Sequence, residues 1–426
     1  MMDVIEQEFF VPVRYPVHFT TGVFAPSNLL LRDLIAGGSA ASGSAASGSA
    51  ASGSTARAHA GTGAEADAPA KLLVVVDRGV ERAHPALIDA IGAYCAEHTR
   101  VIAVSGPVLV VPGGESVKND RCHVDRILDA INAASLCRHS YLVAVGGGAV
   151  LDAAGFAAAT AHRGIRLIRV PTTVLSQDDS AMGVKNGINA FSKKNYLGTF
   201  APPFAVINDS SFLSTLSDRD WRGGATEAVK AALIRDPELF AFLEHHAPAL
   251  RDRDLPAMLQ VIRRSAMLHL QHIATGGDPF EHGSSRPLDF GHWAAHRLEQ
   301  ATNHRLGHGE AVGIGIALNT TYSHLAGFLG ETEWRRVINL LIALGVQIYS
   351  SALDEHLETP DDPGCILRGL AEFQEHLGGR LTIMLLKGIG QPFDVHDIRT
   401  DLIVKSIDIL KTMEADRSAS SAKKAS

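Results

Sequence analysis

Cysteine is scarce: there are four in 426 residues, Cys95, Cys122, Cys137 and Cys365, and no two stand in a CxxC spacing. This argues against a disulfide framework or a cysteine-built zinc knuckle, and implies reduced thiols in a cytoplasmic protein. Long apolar runs are absent too. None approaches the roughly 20 residues that a membrane-spanning helix needs, so no membrane partner is expected. Positive charge is not in excess: 39 Lys and Arg face 46 Asp and Glu, for a formal net charge of −7. Such a chain offers no broad basic surface to nucleic acid, and none is expected as partner. The opening MMDVIEQEFF is acidic and lacks the basic and apolar regions of a secretory signal.

What remains is an ordinary globular composition, 46% hydrophobic and 20% charged, with 20 histidines. The length suits two or three domain-sized cores. Residues 37–70 repeat a Gly/Ser/Ala unit that cannot bury enough apolar surface to offset its ordering entropy, and they read as a flexible insertion. Between Leu72 and Asp209 the runs LLVVVD, VIAVSG, YLVAVGG, LIRVPTT and FAVIND alternate with helical stretches. That is the pattern of buried parallel strands with crossover helices. From Ser210 onward, amphipathic stretches beginning near Asp218, Leu255, Leu288, Gly309, Glu331 and Thr400 read as helices. The expected architecture is a Rossmann-like α/β nucleotide-binding domain over residues 1–209 and an all-α domain over 210–412. A disordered polar tail, 413–426, follows, and the active site is expected in the cleft between the domains.

Four segments carry chemistry. Val145-Gly146-Gly147-Gly148-Ala149-Val150-Leu151-Asp152 ends a strand, turns on three glycines and opens a helix. Its backbone can approach a pyrophosphate closely, although the same run also serves as a plain strand-to-helix turn. Pro112-Gly113-Gly114-Glu115 with Lys118 sets an acid at a turn, suited to a cofactor ribose or to no ligand at all. Pro171-Thr172-Thr173, Gln177-Asp178-Asp179-Ser180, Lys185-Asn186-Gly187-Ile188-Asn189 and Lys194-Asn195 form a donor-rich stretch. At loop positions after a strand, such residues suit a phosphorylated polyol, or solvent. Finally, Gly291-His292 precedes His296 on one helix face, Gly307-His308 opens another helix, and Glu227 and Lys230 lie three apart upstream. Glu227, His292 and His308 make a carboxylate and two imidazoles, a donor set for Zn2+ or its substitute Co2+ with positions left for substrate.

Taken in order over about Asp77–Gly390, these motifs resemble the 3-dehydroquinate synthase superfamily of sugar-phosphate cyclases. The resemblance implies NAD contacts at Asp77, Glu115, Lys118, Gly147, Gly148, Asp152, Thr172, Thr173, Asp179 and Lys194. It implies metal ligands at Glu227, His292 and His308. Substrate or phosphate contacts fall at Lys185, Asn195, Lys230 and His296, with Glu281 and Asp289 beside them. Arg163 is expected to reach the phosphate of a neighbouring subunit in a homodimer.

Where the synthase pattern holds a substrate carboxylate with a lysine and an arginine, this chain has Gln271 and Ser285, with Arg286 adjacent. Its asparagine becomes Asp289, and a C-terminal DKK becomes Phe373-Gln374-Glu375. Losing cations and gaining an acid disfavours a carboxylated substrate. The segment DPFEHGSSRPLDFGHWAAHRLE is most similar to cyclases of sedoheptulose 7-phosphate, the 2-epi-valiolone synthase branch. The expected reaction is NAD-dependent oxidation, β-elimination of phosphate, reduction and intramolecular aldol closure. The rivals are 3-dehydroquinate synthase itself, a metal-dependent polyol dehydrogenase, which gives no reason for Lys185, Lys194, Asn195 and Lys230 to gather, and a non-catalytic paralogue.

Overall fold

The computed structural model describes residues 4–9, 11–44, 68–191, 193–276, 280, 286–376 and 379–425. The chain forms two compact units. One comprises Met1–Val145, Ala149–Val170 and Val184–Asp209, the other Gly146–Gly148, Pro171–Gly183 and Ser210–Ser426. The glycine turn and the Pro171–Gly183 segment thus group with the helical part although they precede residue 210.

The first unit is built on a seven-stranded sheet: β1 (Val17–Thr20), β2 (Ala70–Asp77), β3 (Ile102–Val104), β4 (Leu109–Val111), β5 (Tyr141–Gly146), β6 (Arg166–Pro171) and β9 (Ala205–Asp209). Strand order is β1-β9-β6-β5-β2-β3, with β4 also paired to β2. β1 and β6 pair parallel with β9, and β3, β4 and β5 pair parallel with β2. β5 and β9 are buried along their whole length, and β2 from Leu72 onward, which is why they read as unbroken apolar runs. Helices α1 (Leu30–Ser44), α2 (Arg78–Ala83), α3 (Leu87–Glu97), α4 (Ser116–Asn119), α5 (Cys122–Ala133) and α6 (Gly148–Thr160) connect the strands. After β2 the chain adds β3 and β4 on one side, then returns to lay β5 on the other. The order therefore reverses between β2 and β5, and the crevice outside the carboxyl ends at such a reversal is where open α/β sheets bind ligands.

Two expectations change here. Residues 37–44 of the expected insertion complete α1, since alanine carries the helix onward. Gly38 is a packing residue rather than a linker residue, because a Cβ there would collide with the Tyr141 hydroxyl and the Phe204 ring. Residues 45–67 of that insertion lie outside the described residues. The donor-rich stretch expected as loop is an antiparallel hairpin, β7 (Lys185–Ala190) with β8 (Lys193–Phe200), since Ile188, Tyr196, Leu197 and Phe200 give it strand character.

The second unit holds α7 (Asp218–Arg235), α8 (Pro237–Arg251), α9 (Leu255–Thr275), α10 (His292–Ala301), α11 (His308–Leu325), α12 (Glu331–Ala343), α13 (Arg368–His376) and α14 (Thr400–Ala425). It is not all helix: β10 (Ile383–Gly388) and β11 (Gln391–Val395) pair antiparallel, a short apolar run the helical pattern concealed. α7 is buried from Gly223 to Ile234 and α11 from Ala311 to Ser323, so both are core helices, and α7 carries the buried polar side chains Thr226, Glu227 and Lys230. The tail expected to be disordered is helical to Ala425. Its Ala, Glu, Lys and Arg are strong helix formers. Glu414 pairs with Arg417 at 3.0 Å, and Arg417 donates to the Val346 carbonyl at 3.0 Å. Among the described residues no helix is long and apolar enough to cross a membrane.

Candidate metal and nucleotide sites

Glycine contacts between helices build the metal-like cluster. A Cβ on Gly309 would collide with the Gly223 carbonyl, so α7 and α11 cross there at backbone contact. The Thr226 hydroxyl is shared between the carbonyls of Gly223 (2.7 Å) and Gly309 (2.9 Å). Glu227 lies one turn beyond Gly223, and His308 is the first residue of α11, so the crossing sets them face to face. Gly291 has φ +79°, a left-handed conformation that glycine tolerates without strain. A Cβ there would lie 2.8 Å from the carbonyl carbon of Gly315. This close approach seats His292, the first residue of α10, against the same helix, and Trp293 Nε1 donates to Asn319 Oδ1 at 2.8 Å to lock it.

The result is compact. Glu227, His292 and His308 each offer a ligand atom within 4.8 Å of the others. Glu227 Oε1 is 3.3 Å from His308 Nε2 and 3.8 Å from His292 Nε2. Donors bound at about 2.0–2.1 Å in a tetrahedron lie roughly 3.3 Å apart, so the set fits Zn2+ or Co2+. Glu227 is 1% exposed. Burial alone would push its carboxyl up, but Lys230, in ion-pair contact with Oε2, and His308 outweigh it and hold it at about 2. Burial, with Lys230 and His308 adding, drives the His292 imidazole well below its usual range. Two helix N-termini at the cluster favour the carboxylate and disfavour imidazolium. An ionised acid beside a neutral imidazole is the protonation state a cation needs.

Around this cluster, His296 lies with its ring 5.3 Å from that of His292 and 6.0 Å from that of His308. Asp179 Oδ1 is 2.7 Å from His269 Nδ1 and 4.0 Å from Lys230 Nζ. Burial would raise Asp179, yet Lys230 and His269 hold it at about 2. Asp289 ends a short turn, Pro287–Asp289, near enough to Lys230 to help raise the ammonium's pKa. Asp178 is fully buried, and neither of its oxygens has a hydrogen-bond partner of ordinary geometry among the described residues. Burial first, then Asp179 and Glu227, lifts its pKa well above the usual range. Thr172 donates its N–H to the Gly146 carbonyl at 3.1 Å, Thr173 Oγ1 lies 2.8 Å from Ser176 Oγ, and a Cβ on Gly148 would approach Ser180 Oγ at 2.6 Å.

A second polar network lies in the first unit. Lys118 is 2% exposed and donates to Asp152 Oδ2 at 2.7 Å and to Asn195 Oδ1. The Asn195 N–H donates to Asn189 Oδ1 at 2.8 Å, and Asn189 Nδ2 donates to Glu115 Oε2 at 2.9 Å. Lys194 is 3.6 Å from Glu115 Oε1. Asp77 ends β2, accepts from the Gly79 N–H at 2.7 Å, and lies so close to Gly113 that a Cβ would meet its carboxylate. Asp77 ends β2 and the glycine turn follows β5, its neighbour in the sheet; open α/β sheets bind ligands at such a reversal of strand order.

Not every expected residue joins these groups. Lys185 begins β7, is exposed, and gives its carbonyl to Arg169 at 3.0 Å. Arg163 is exposed at φ +63° after α6. Glu281 and Ser285 lie outside the described residues. Gln271 is exposed on α9, and Gln374 Nε2 donates to the Gly379 carbonyl at 2.7 Å. Sequence reasoning missed His269, and it missed Glu299, which accepts from His308 Nδ1 at 3.1 Å. Glu299 carries the (i, i+3) spacing from His296 on α10, a signal available in the sequence. The acid of HGEAV, Glu310, is a helix brace: it accepts from the Gly307 N–H at 2.8 Å and from Arg219 Nε at 2.7 Å. Asp120, Cys122 and His123 also cluster, but at the surface beside α5.

An open parallel sheet with a glycine turn at its order reversal, joined in one chain to a helical unit carrying a Glu/His/His cluster, defines a nucleotide- and metal-binding class of enzyme. Family models described as 3-dehydroquinate synthase N-terminal and C-terminal match residues 108–223 and 224–360. The 2-epi-5-epi-valiolone synthase of Streptomyces glaucescens is 32% identical over 93% of this chain and 91% of that protein. A 3-dehydroquinate synthase of Ruegeria pomeroyi is 35% identical over 72% of this chain and 81% of that protein. The structure of the 2-epi-5-epi-valiolone synthase of Streptomyces hygroscopicus, with NAD+ and Zn2+ bound, superposes with a TM-score of 0.79 at 28% identity, covering 96% of this chain and all of that one. The chain belongs to the 3-dehydroquinate synthase family and is a sugar-phosphate cyclase of that family.

Proposed function

We propose that the enzyme converts sedoheptulose 7-phosphate to a C7 cyclitol of the 2-epi-valiolone type with release of phosphate, using NAD and one Zn2+ or Co2+. The buried Glu227–His292–His308 cluster backed by Lys230 supports the cyclase reading, and Asp289 beside Lys230 supports the uncarboxylated substrate. NAD would be held by Asp77, Glu115, Lys118, Asp152, Lys194, Thr172, Thr173 and the Gly147-Gly148 turn, and the metal by the three-residue cluster. When bound, NAD supplies reversible hydride transfer at a secondary alcohol and the metal supplies polarisation of that oxygen.

The chain's own residues orient and discharge. Lys230 neutralises charge beside Glu227. His296 stands next to both imidazoles, where it can hold a proton of a bound hydroxyl. Asp179, kept ionised between Lys230 and His269, accepts from substrate hydroxyls. Asp289 adds negative charge near Lys230, which favours a neutral hydroxymethyl end over a carboxylate. Burial of these groups strengthens each interaction relative to water.

3-Dehydroquinate synthase activity is the second reading, because Arg286 stands one residue from the position where the synthase pattern places an arginine for the substrate carboxylate, and proteins of that name match this chain at 35% identity. Family membership favours either cyclase over a polyol dehydrogenase. The deciding experiment incubates purified protein with NAD+, Zn2+ or Co2+, and either sedoheptulose 7-phosphate or the carboxylated heptulosonate phosphate. The product is then identified by NMR. Turnover of only the carboxylated sugar would overturn the proposed substrate.

A further inference from the structure

We propose that Glu299 is a positioning residue that fixes the tautomer and donor strength of His308 at the metal cluster. The inference rests on the metal reading of Glu227, His292 and His308 and deepens it.

The two imidazoles of the cluster are held differently. His292 Nδ1 is 3.3 Å from the backbone carbonyl of Phe290, a neutral acceptor two residues away. His308 Nδ1 is 3.1 Å from Glu299 Oε2. Glu299 is 2% exposed and sits on α10, seven residues beyond His292, so the helix that carries one imidazole also supplies the orienting group of the other. With Nδ1–H donating to a carboxylate, the His308 lone pair resides on Nε2, the atom 3.3 Å from Glu227 Oε1. A carboxylate behind an imidazole raises its basicity and locks its ring orientation, and losing such a partner typically costs about 10–100-fold in metal affinity or activity.

Burial strengthens the case. A buried carboxylate without a partner is costly, and Glu299 meets His308 on the side of the ring away from Glu227. His296, Glu299 and His308 also offer nitrogen and oxygen atoms within 4.8 Å of one another. His308 has one nitrogen for each neighbour, so Glu299 and Glu227 engage opposite ends of the same ring. Glu299 thus acts through His308 and needs no contact with substrate.

The test uses full-length wild type, E299Q, E299A and H308A. Each is stripped with chelator, checked for fold by circular dichroism, and titrated with Zn2+ against a chelating dye and with Co2+ by visible spectroscopy. The expected result is metal binding weakened about 10–100-fold in E299A and less in E299Q, whose amide oxygen still accepts from Nδ1. The Co2+ ligand-field bands should shift in both. Saturating metal should restore most turnover, with KM for the sugar phosphate unchanged. Wild-type Kd and spectrum in folded E299Q and E299A would overturn the role of Glu299. If E299A does not fold, E299Q decides alone by the same criterion. Wild-type metal binding in H308A would instead sink the metal reading itself, so the two failures are told apart.

Discussion

His269 Nδ1 lies 2.7 Å from Asp179 Oδ1, on a carboxylate that also faces Lys230 at 4.0 Å. A hydrogen bond to a charged group is worth about 1.5–3 kcal/mol. H269F should therefore lower kcat/KM for the sugar phosphate by roughly 10–100-fold while leaving metal content at the wild-type level. Phosphate-release kinetics alongside elemental analysis of the purified variant check this. Unchanged kcat/KM would remove His269 from the site.

Replacing His292 removes one of the three ligand atoms of the cluster. H292A is expected to lose bound metal and all turnover while retaining its fold. Metal stoichiometry by mass spectrometry and phosphate release measure this. Full turnover with an empty site would refute the assignment of the cluster.

Lys118, almost fully buried, holds Asp152 and Asn195 together. A hydrogen bond to a charged group is worth about 1.5–3 kcal/mol. K118M should weaken NAD+ binding by at least tenfold, read by calorimetry, with Zn2+ affinity unaltered. Equal loss of both affinities would mean that the substitution acts on the fold instead.

The proposed chemistry returns its hydride within each turnover. Sedoheptulose 7-phosphate should release one inorganic phosphate per product with a flat nicotinamide absorbance, at NAD+ far below substrate. A steady rise of NADH would favour a dehydrogenase.

The crossing of α7 and α11 has no room for a methyl group. G309A should cost about 1–3 kcal/mol through overpacking and weaken metal binding by displacing His308 from Glu227. G92A, in α3, meets nothing within 4 Å and should be neutral or stabilising by up to about 1 kcal/mol. Thermal unfolding of both variants makes the comparison.

Much of this was legible in the sequence for identifiable reasons. Parallel strands buried on both faces, such as Tyr141–Gly146, show as continuous apolar runs. The three cluster donors stood out through Gly-His pairs and an acid on a separate helix. Other features were concealed. Lys185 and Arg163 carry the right charge for a phosphate, but their exposure depends on hairpin and turn geometry that composition does not encode. His269 matters because α9 packs beside the Ser176–Ser180 turn, a contact between segments about 90 residues apart. Asp178 looked like one more polar residue of a donor-rich stretch, and only burial distinguishes it. The tail's polarity suggests disorder, while its Ala, Glu, Lys and Arg favour helix.

The glycine contacts at Gly223, Gly309 and Gly291 tie the geometry of the cluster to backbone packing. The spacing of the three ligand atoms therefore depends on how α7, α10 and α11 pack against one another. Protein stripped by chelator is expected to keep its far-ultraviolet spectrum and to rebind Zn2+ or Co2+ at the same three side chains.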